Sequence, residues 1–351
     1  MPNADINALR SKLAEKDLQG ILITAPANIR YLSGFTAGAD ARLLLTLEQQ
    51  FIFTDSRYRE QAALECPDWN YQEEKASALE KMTQVVQGFK KVGFESLHTS
   101  YAFYQRLAQS MPLAWEPVLD LVETQRLVKT PAELDKLKRA AQIGDETFTA
   151  VLPMIEAGVE EKSLADTIVY LLRQKGCEKE AFDAIVVSGE NAALPHGRPG
   201  SRRFRPGDMV TMDFGGIFDG YVGDMTRTVA VKPATKRFRE IYRAVMEAQQ
   251  TGLDIIRAGV SCRQVDEAVR KCLQVRGLDQ YFTHGTGHGV GLDIHEGPRL
   301  AASSLETLQE NMVVTVEPGV YIPGWGGVRI EDTVIVTRSG VEIITHSSKH
   351  C

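Results

Sequence analysis

Hydrophobic residues recur at helical spacing over residues 6–16 and then close up into the apolar run 20–24, GILIT, so an amphipathic helix leading into a buried strand is expected. Two more apolar runs, 42–46 and 51–55, flank Glu48-Gln49-Gln50, which reads as a turn. Ser56 stands where an N-cap would open a helix running toward Cys66, and 92–95 is a further short strand. Together these make a small α/β unit. Between Trp115-Glu116-Pro117 and Lys129-Thr130-Pro131 the pattern breaks. There Thr130, with Pro131 at the first helical position and Glu133 three residues on, opens a long charged amphipathic helix. The boundary is placed near residue 125, giving an N-terminal domain over 1–125 and a second domain over 126–351.

In the second part, helical patterns at about 131–150, 162–176, 235–258 and 262–275 alternate with β-branched apolar runs at 184–188, 209–214, 226–231, 312–316 and 328–336. The expected fold class is α/β followed by an α+β catalytic domain. A weak internal echo links Val210-Thr-Met-Asp213-x-Gly215 to Val314-Thr-Val-Glu317-x-Gly319, each followed by a second acid-bearing strand. Either the two halves are related, or apolar strands ending in an acid and glycine recur by chance.

The chain's 351 residues suffice for two cores, and its 43% hydrophobic and 25% charged residues are those of an ordinary globular protein. A net charge of −6 without a basic block speaks against nucleic acid as a partner and leaves small molecules or peptides. No apolar run approaches the roughly 20 residues that span a bilayer, and the first residues lack the charged-then-apolar pattern of a leader, so a cytoplasmic location is expected. Cys66, Cys177, Cys262, Cys272 and Cys351 have no paired spacing, which indicates neither a disulfide framework nor a zinc knuckle. Cys351 is given no role.

The candidate chemistry lies in the acids. Asp219-Gly220 is the dipeptide favoured in a type I′ hairpin turn, which sets Gly215 opposite Asp224 and Asp213 diagonally across, roughly 7 to 8 Å away at the backbone. An unpaired charge at the end of an apolar strand costs several kcal/mol, so simple solvation explains Asp213 poorly. Asp213-Phe214-Gly215 has none of the surrounding kinase motifs. The second hairpin is expected to repeat the geometry. With a loop centred on Trp325, Gly319 would face Glu331, Glu317 would lie diagonal to Glu331, and Tyr321 would face Arg329. Four such acids repel one another unless cations intervene, and two divalent ions match their charge. In the segment from Thr283 to Glu296, glycines at 285, 287, 289 and 291 oppose a helix, so an extended chain would project His284 and His288 to one face, one onto metal and its neighbour onto substrate. The glycine spacing fits neither dinucleotide nor phosphate loops.

These residues resemble the creatinase, prolidase and methionine aminopeptidase superfamily, the pita-bread metallopeptidases, over about residues 125–345. The likeness is nearest to Xaa-Pro dipeptidases and Xaa-Pro aminopeptidases, which carry an N-terminal α/β domain like 1–125. The resemblance implies metal ligation by Asp213, Asp224, His288, Glu317 and Glu331, with two divalent ions, manganese first and cobalt or zinc as substitutes, and a bridging hydroxide as nucleophile. It also implies that Glu317 takes the water's proton and that His196, His284 and His295 steady the substrate and the tetrahedral intermediate. Arg299 would hold the free carboxylate of a dipeptide, with a surface salt bridge as the alternative, and Tyr321 and Arg329, facing each other in the expected hairpin register, would support the substrate site. The expected activity is hydrolysis of the bond before proline in a short peptide, by a homodimer. The alternatives are aminopeptidase action on longer peptides, a non-catalytic binding protein of the same fold, and metal-free creatinase-like chemistry.

Overall fold

The computed structural model describes residues 4–74 and 79–349, which leaves Cys351 outside the described residues. The four described cysteines are free thiols. The chain divides into two compact units, Met1–Arg126 and Leu127–Cys351.

In the first unit a six-stranded sheet runs in the order β4-β3-β2-β1-β5-β6. Its strands are β1 (Gly20–Ile23), β2 (Ala41–Thr46), β3 (Gln50–Thr54), β4 (Asn70–Glu73), β5 (Lys91–Glu95) and β6 (Ala114–Val118). The β1-β2-β3 meander is antiparallel, and the outer pairings β3-β4, β1-β5 and β5-β6 are parallel. Leu22, Leu44, Phe53 and Val92 bury one face beneath Met82, Phe103 and Leu107. The helix expected after Ser56 starts differently. Ser56–Tyr58 is a 3-10 turn leading into the helix Arg59–Glu65, and Asp55, not Ser56, is the cap, its carboxylate accepting from Arg57 N–H at 3.0 Å. Asp55 also holds the Arg57 guanidinium, a second bond that a serine hydroxyl could not supply as well.

The second unit contains β7 (Lys179–Glu180), β8 (Ile185–Ser188), β9 (Met209–Phe214), β10 (Gly216–Phe218), β11 (Tyr221–Val222), β12 (Met225–Ala230), β13 (Gly287–Gly289), β14 (Glu296–Leu300), β15 (Val313–Val316), β16 (Gly319–Ile322), β17 (Gly326–Arg329), β18 (Asp332–Val336) and β19 (Val341–Ile343). They form sheets β12-β9-β8, β11-β10-β7, β14-β13-β15-β18-β19 and β16-β17. Helices Pro131–Val151, Glu161–Gln174, Lys236–Ile255 and Cys262–Val275 cover them. The first starts at the expected Thr130–Glu133 capping box, and Ser261 with Gln264 forms another.

Both acid-bearing hairpins break midway, and this feature builds the site. In the first, Asp219 (φ 46°) and Gly220 (φ 83°) make the expected two-residue turn, and Ile217↔Val222 and Phe214↔Met225 share one register. Asp213 therefore lies diagonal to Asp224, as the turn chemistry implies. The second hairpin departs from expectation by two residues. Its loop is only Pro323-Gly324-Trp325, so Gly319 pairs with Arg329 and not with Glu331, and Tyr321 pairs with Gly327. Gly326 and Gly327, next to the Trp325 on which the loop was expected to centre, belong to the strand. A Cβ on Gly327 would lie 2.1 Å from the Ala192 carbonyl oxygen, so that position serves a close backbone approach. Because Val316↔Asp332 continues the same register, Glu317 and Glu331 occupy matching, not diagonal, positions. The run 328–336 is likewise two strands in two sheets. At its break Glu331 N–H leaves the hairpin and donates to the Thr226 carbonyl at 3.1 Å, while Glu317 N–H donates to that of Thr286 at 2.8 Å.

Candidate metal centre and substrate pocket

Strand breaks at Asp224, Glu317 and Glu331 free three acids from the ladders, and Asp213 enters from the end of β9. With His288 at the centre of β13 they line one cavity of about 620 Å³, a volume suited to a small substrate. Asp213, Asp224 and Glu331 each present a carboxylate oxygen within 4.8 Å of the other two. At that separation two full charges repel by about 3 kcal/mol even at the effective dielectric of a partly solvated site. Burial, reinforced by the neighbouring acids, pushes the Asp224 and Glu331 carboxyls well above the usual carboxylate range. Burial raises Asp213 as well, with the Arg329 charge opposing it. Glu317 is also buried, yet the contact and charge of His288 outweigh burial and hold it below the ordinary value.

Two observations test whether these residues fit a metal. Asp213 Oδ1 and Glu331 Oε1 are buried without a hydrogen-bond partner among the described residues, each a cost of about 1 to 3 kcal/mol if nothing binds there. The second concerns His288, whose Nδ1 lies 3.1 Å from the Gly289 carbonyl. A carbonyl only accepts, so Nδ1 carries the proton and Nε2 turns its lone pair toward Glu317 Oε1 at 3.3 Å and Asp224 Oδ2 at 3.7 Å. A lone pair facing two carboxylates requires a cation among them, either a proton on the ring or a divalent ion. The donor set of four carboxylates and one imidazole fits hard divalent ions. Arg329 takes only one oxygen of Asp213, Nη2 to Oδ2 at 2.5 Å, which leaves Oδ1 open.

The remaining candidates separate by position. His196, His295 and Arg299 are exposed on the cavity wall, with the His295 ring edge-on to His288 at 4.4 Å. His284 lies deeper. Its Nδ1 is 2.8 Å from the Gly285 carbonyl and its Nε2 is 2.8 Å from Tyr321 Oη, so Tyr321 donates to Nε2 and in turn accepts from Arg329 Nη1 at 2.7 Å. Both ring nitrogens of His284 are thus engaged within the protein. Tyr321 does not line the cavity but stands behind Arg329 and His284, and burial pushes its hydroxyl up to about 12, so it stays a proton donor. Arg299 sits opposite His288 in the β13-β14 register, and its guanidinium makes no ion pair among the described residues.

Residues that the sequence pattern does not single out hold the acids and His288 in place. Thr226 Oγ1 donates to Glu331 Oε2 at 2.6 Å and accepts from Arg329 Nε at 3.1 Å, and Thr315 Oγ1 donates to Glu317 Oε1 at 3.1 Å while accepting from His288 N–H. Asp266, fully buried on the apolar face of the helix Cys262–Val275, accepts from Thr286 N–H and Oγ1 and from Arg270 Nε, fixing the histidine-bearing segment. An acid between Val265 and Val269 on that face was the available signal. Thr226→Val is expected to weaken Mn²⁺ binding about tenfold, because Glu331 loses the donor that orients it. Titrating metal-free protein with Mn²⁺ checks this, and an unchanged affinity would show that the bond is incidental.

The catalytic unit matches the model of metallopeptidase family M24 over residues 135–338, and the first unit matches the Creatinase/Prolidase N-terminal domain over 6–128. A Pyrococcus horikoshii protein named Xaa-Pro dipeptidase is 32% identical, over 99% of this chain and 98% of its own. The solved structure of an Xaa-Pro dipeptidase from Bacillus anthracis superposes with a TM-score of 0.95 at 40% identity, covering 98% of each chain. That of an X-Pro aminopeptidase from Thermotoga maritima gives 0.91 at 32%, again over 98% of each. Among the described residues no helix is long and apolar enough to cross a membrane.

Proposed function

The chain belongs to metallopeptidase family M24, with a creatinase/prolidase N-terminal domain ahead of a pita-bread catalytic domain, and on that premise we propose that it hydrolyses the bond before proline in Xaa-Pro dipeptides. Asp213, Asp224, His288, Glu317 and Glu331 hold two divalent ions, manganese by preference. The observation that carries this is the pair of open, buried carboxylate oxygens beside the His288 lone pair. Divalent ions held by these residues would supply Lewis-acid chemistry, lowering the pKa of a water toward neutrality. Glu317, held ionised beside His288, accepts the proton of the attacking water and delivers it to the departing proline nitrogen. His196 and His295, which line the cavity, donate to the developing oxyanion, whereas His284 positions Tyr321 and Arg329. Arg299, unpaired on the wall, receives the substrate carboxylate.

The Thermotoga neighbour favours a second reading, removal of the first residue from longer Xaa-Pro peptides. Metal-free protein reconstituted with Mn²⁺, Co²⁺ or Zn²⁺ and assayed on Ala-Pro and Ala-Pro-Ala separates the two. Proline release from Ala-Pro is expected only with metal and faster than cleavage of the tripeptide. Faster tripeptide cleavage would establish the aminopeptidase reading, and no cleavage of either with any ion would reject both.

A further inference from the structure

The cavity carries a second unpaired guanidinium. The loop that bears His196 lines the cavity over residues 195–199. Gly197 is buried, bonded through N–H to the Leu194 carbonyl at 3.1 Å, and a Cβ there would meet Val187 Cγ1 at 2.7 Å. Gly197 is thus held against β8, and His196 and Arg198 on either side of it line the cavity. The loop is anchored beyond as well as before. Glu161, fully buried at the start of its helix, accepts from Gly200 N–H at 3.1 Å and from Ser188 N–H and Oγ at 2.7 Å each, and Arg202 bridges Ser188 and Asp208 at 2.6 Å. Arg198 is therefore an exposed side chain on a fixed backbone. Among the described residues it makes no hydrogen bond or ion pair, even though Asp183 also lines the cavity.

The two free arginines line the same cavity. An unpaired guanidinium at a cavity wall is matched by a ligand carboxylate, which its planar fork holds by two parallel bonds. We propose that Arg198 is a specificity-determining residue that, with Arg299, grips the free carboxylate of the substrate's C-terminal residue and so favours dipeptides over longer chains. This rests on the Xaa-Pro reading above and adds the residue that measures substrate length.

Mn²⁺-loaded wild-type, Arg198→Ala and Arg198→Lys proteins, assayed on Ala-Pro and Ala-Pro-Ala, provide the test. In Arg198→Ala the KM for Ala-Pro rises about tenfold while kcat stays within about twofold, and the preference for Ala-Pro over Ala-Pro-Ala shrinks by a similar factor; lysine restores part of both. The KM change separates substrate holding from a structural role, which would lower kcat or bound metal as well. An unchanged KM, or equal losses on both peptides, overturns the proposal while wild-type activity on Ala-Pro leaves the Xaa-Pro reading standing. A wild-type protein inactive on both peptides would instead remove that reading.

Discussion

Glu331→Gln is expected to lower kcat/KM on Ala-Pro by at least about 10³-fold, to reduce the bound metal, and yet to raise the unfolding temperature of the metal-free protein. The three changes share one cause. Glu331 is 2% exposed, with one oxygen receiving the Thr226 hydroxyl and the other unpartnered among the described residues, and it faces Asp213, Asp224 and Glu317. Glutamine keeps the shape and can still accept from Thr226, so packing is preserved. It contributes no charge, however, and its amide nitrogen has no lone pair for an ion. Without metal, the wild-type acid bears either a buried, repelled charge or an unfavourable proton, and glutamine relieves both. Opposite movement of activity and apo stability is the signature, because damage to the fold would lower both. Elemental analysis with thermal unfolding of the metal-free proteins checks it. Retention of activity within tenfold, or a variant less stable than wild type when metal-free, would mean that Glu331 is not part of a cation site.

How much of this centre could be read from the sequence depended on what fixes each position. Asp219-Gly220 determines its turn through local backbone preference, so the Asp213–Asp224 relation followed from two residues. The helix from Pro131 was similarly local, set by the Thr130–Glu133 box. The second hairpin lies two residues from the register its sequence suggests because Gly326 and Gly327 look like turn glycines, whereas contact with the Ala192 backbone requires a glycine at 327. That contact is formed by chain more than a hundred residues away, and no local pattern encodes it. The single run 328–336 hid a strand break for the same reason, since the bond that pulls Glu331 out of the ladder goes to Thr226. The spacing of His284 from His288 predicts a cavity-facing ring, and His284 lines the cavity, but only the positions of Tyr321 and Gly285 show both its nitrogens engaged.

Arg227→Met is expected to destabilise the catalytic unit by about 3 to 5 kcal/mol, lowering its unfolding temperature by about 10 °C. Arg227 is 1% exposed, and every one of its guanidinium nitrogens is engaged. Nε and Nη2 reach the Ser347 carbonyl at 3.0 and 2.9 Å, Nη2 reaches Asp332 Oδ1 at 2.9 Å, and Nη1 donates to the carbonyls of Thr226 and Glu331. The side chain thus ties β12, the start of β18 and the C-terminal segment together behind the acid cluster. Methionine of similar length would fill the space but satisfy none of these acceptors, and it would leave Asp332, fully buried, with one cation fewer. Lys349 also reaches Asp332, and Gln249 donates to it at 3.0 Å, which sets the upper limit on the loss. Arg227→Lys, keeping charge without the fork, should recover only part of it. Because Arg227 holds the backbone at Glu331, metal affinity should fall together with stability, the reverse of the opposite shifts expected for Glu331→Gln. Thermal unfolding with and without Mn²⁺ would measure both, and a loss below about 1 kcal/mol would show that the remaining partners of Asp332 are sufficient and that the bridge does not position the site.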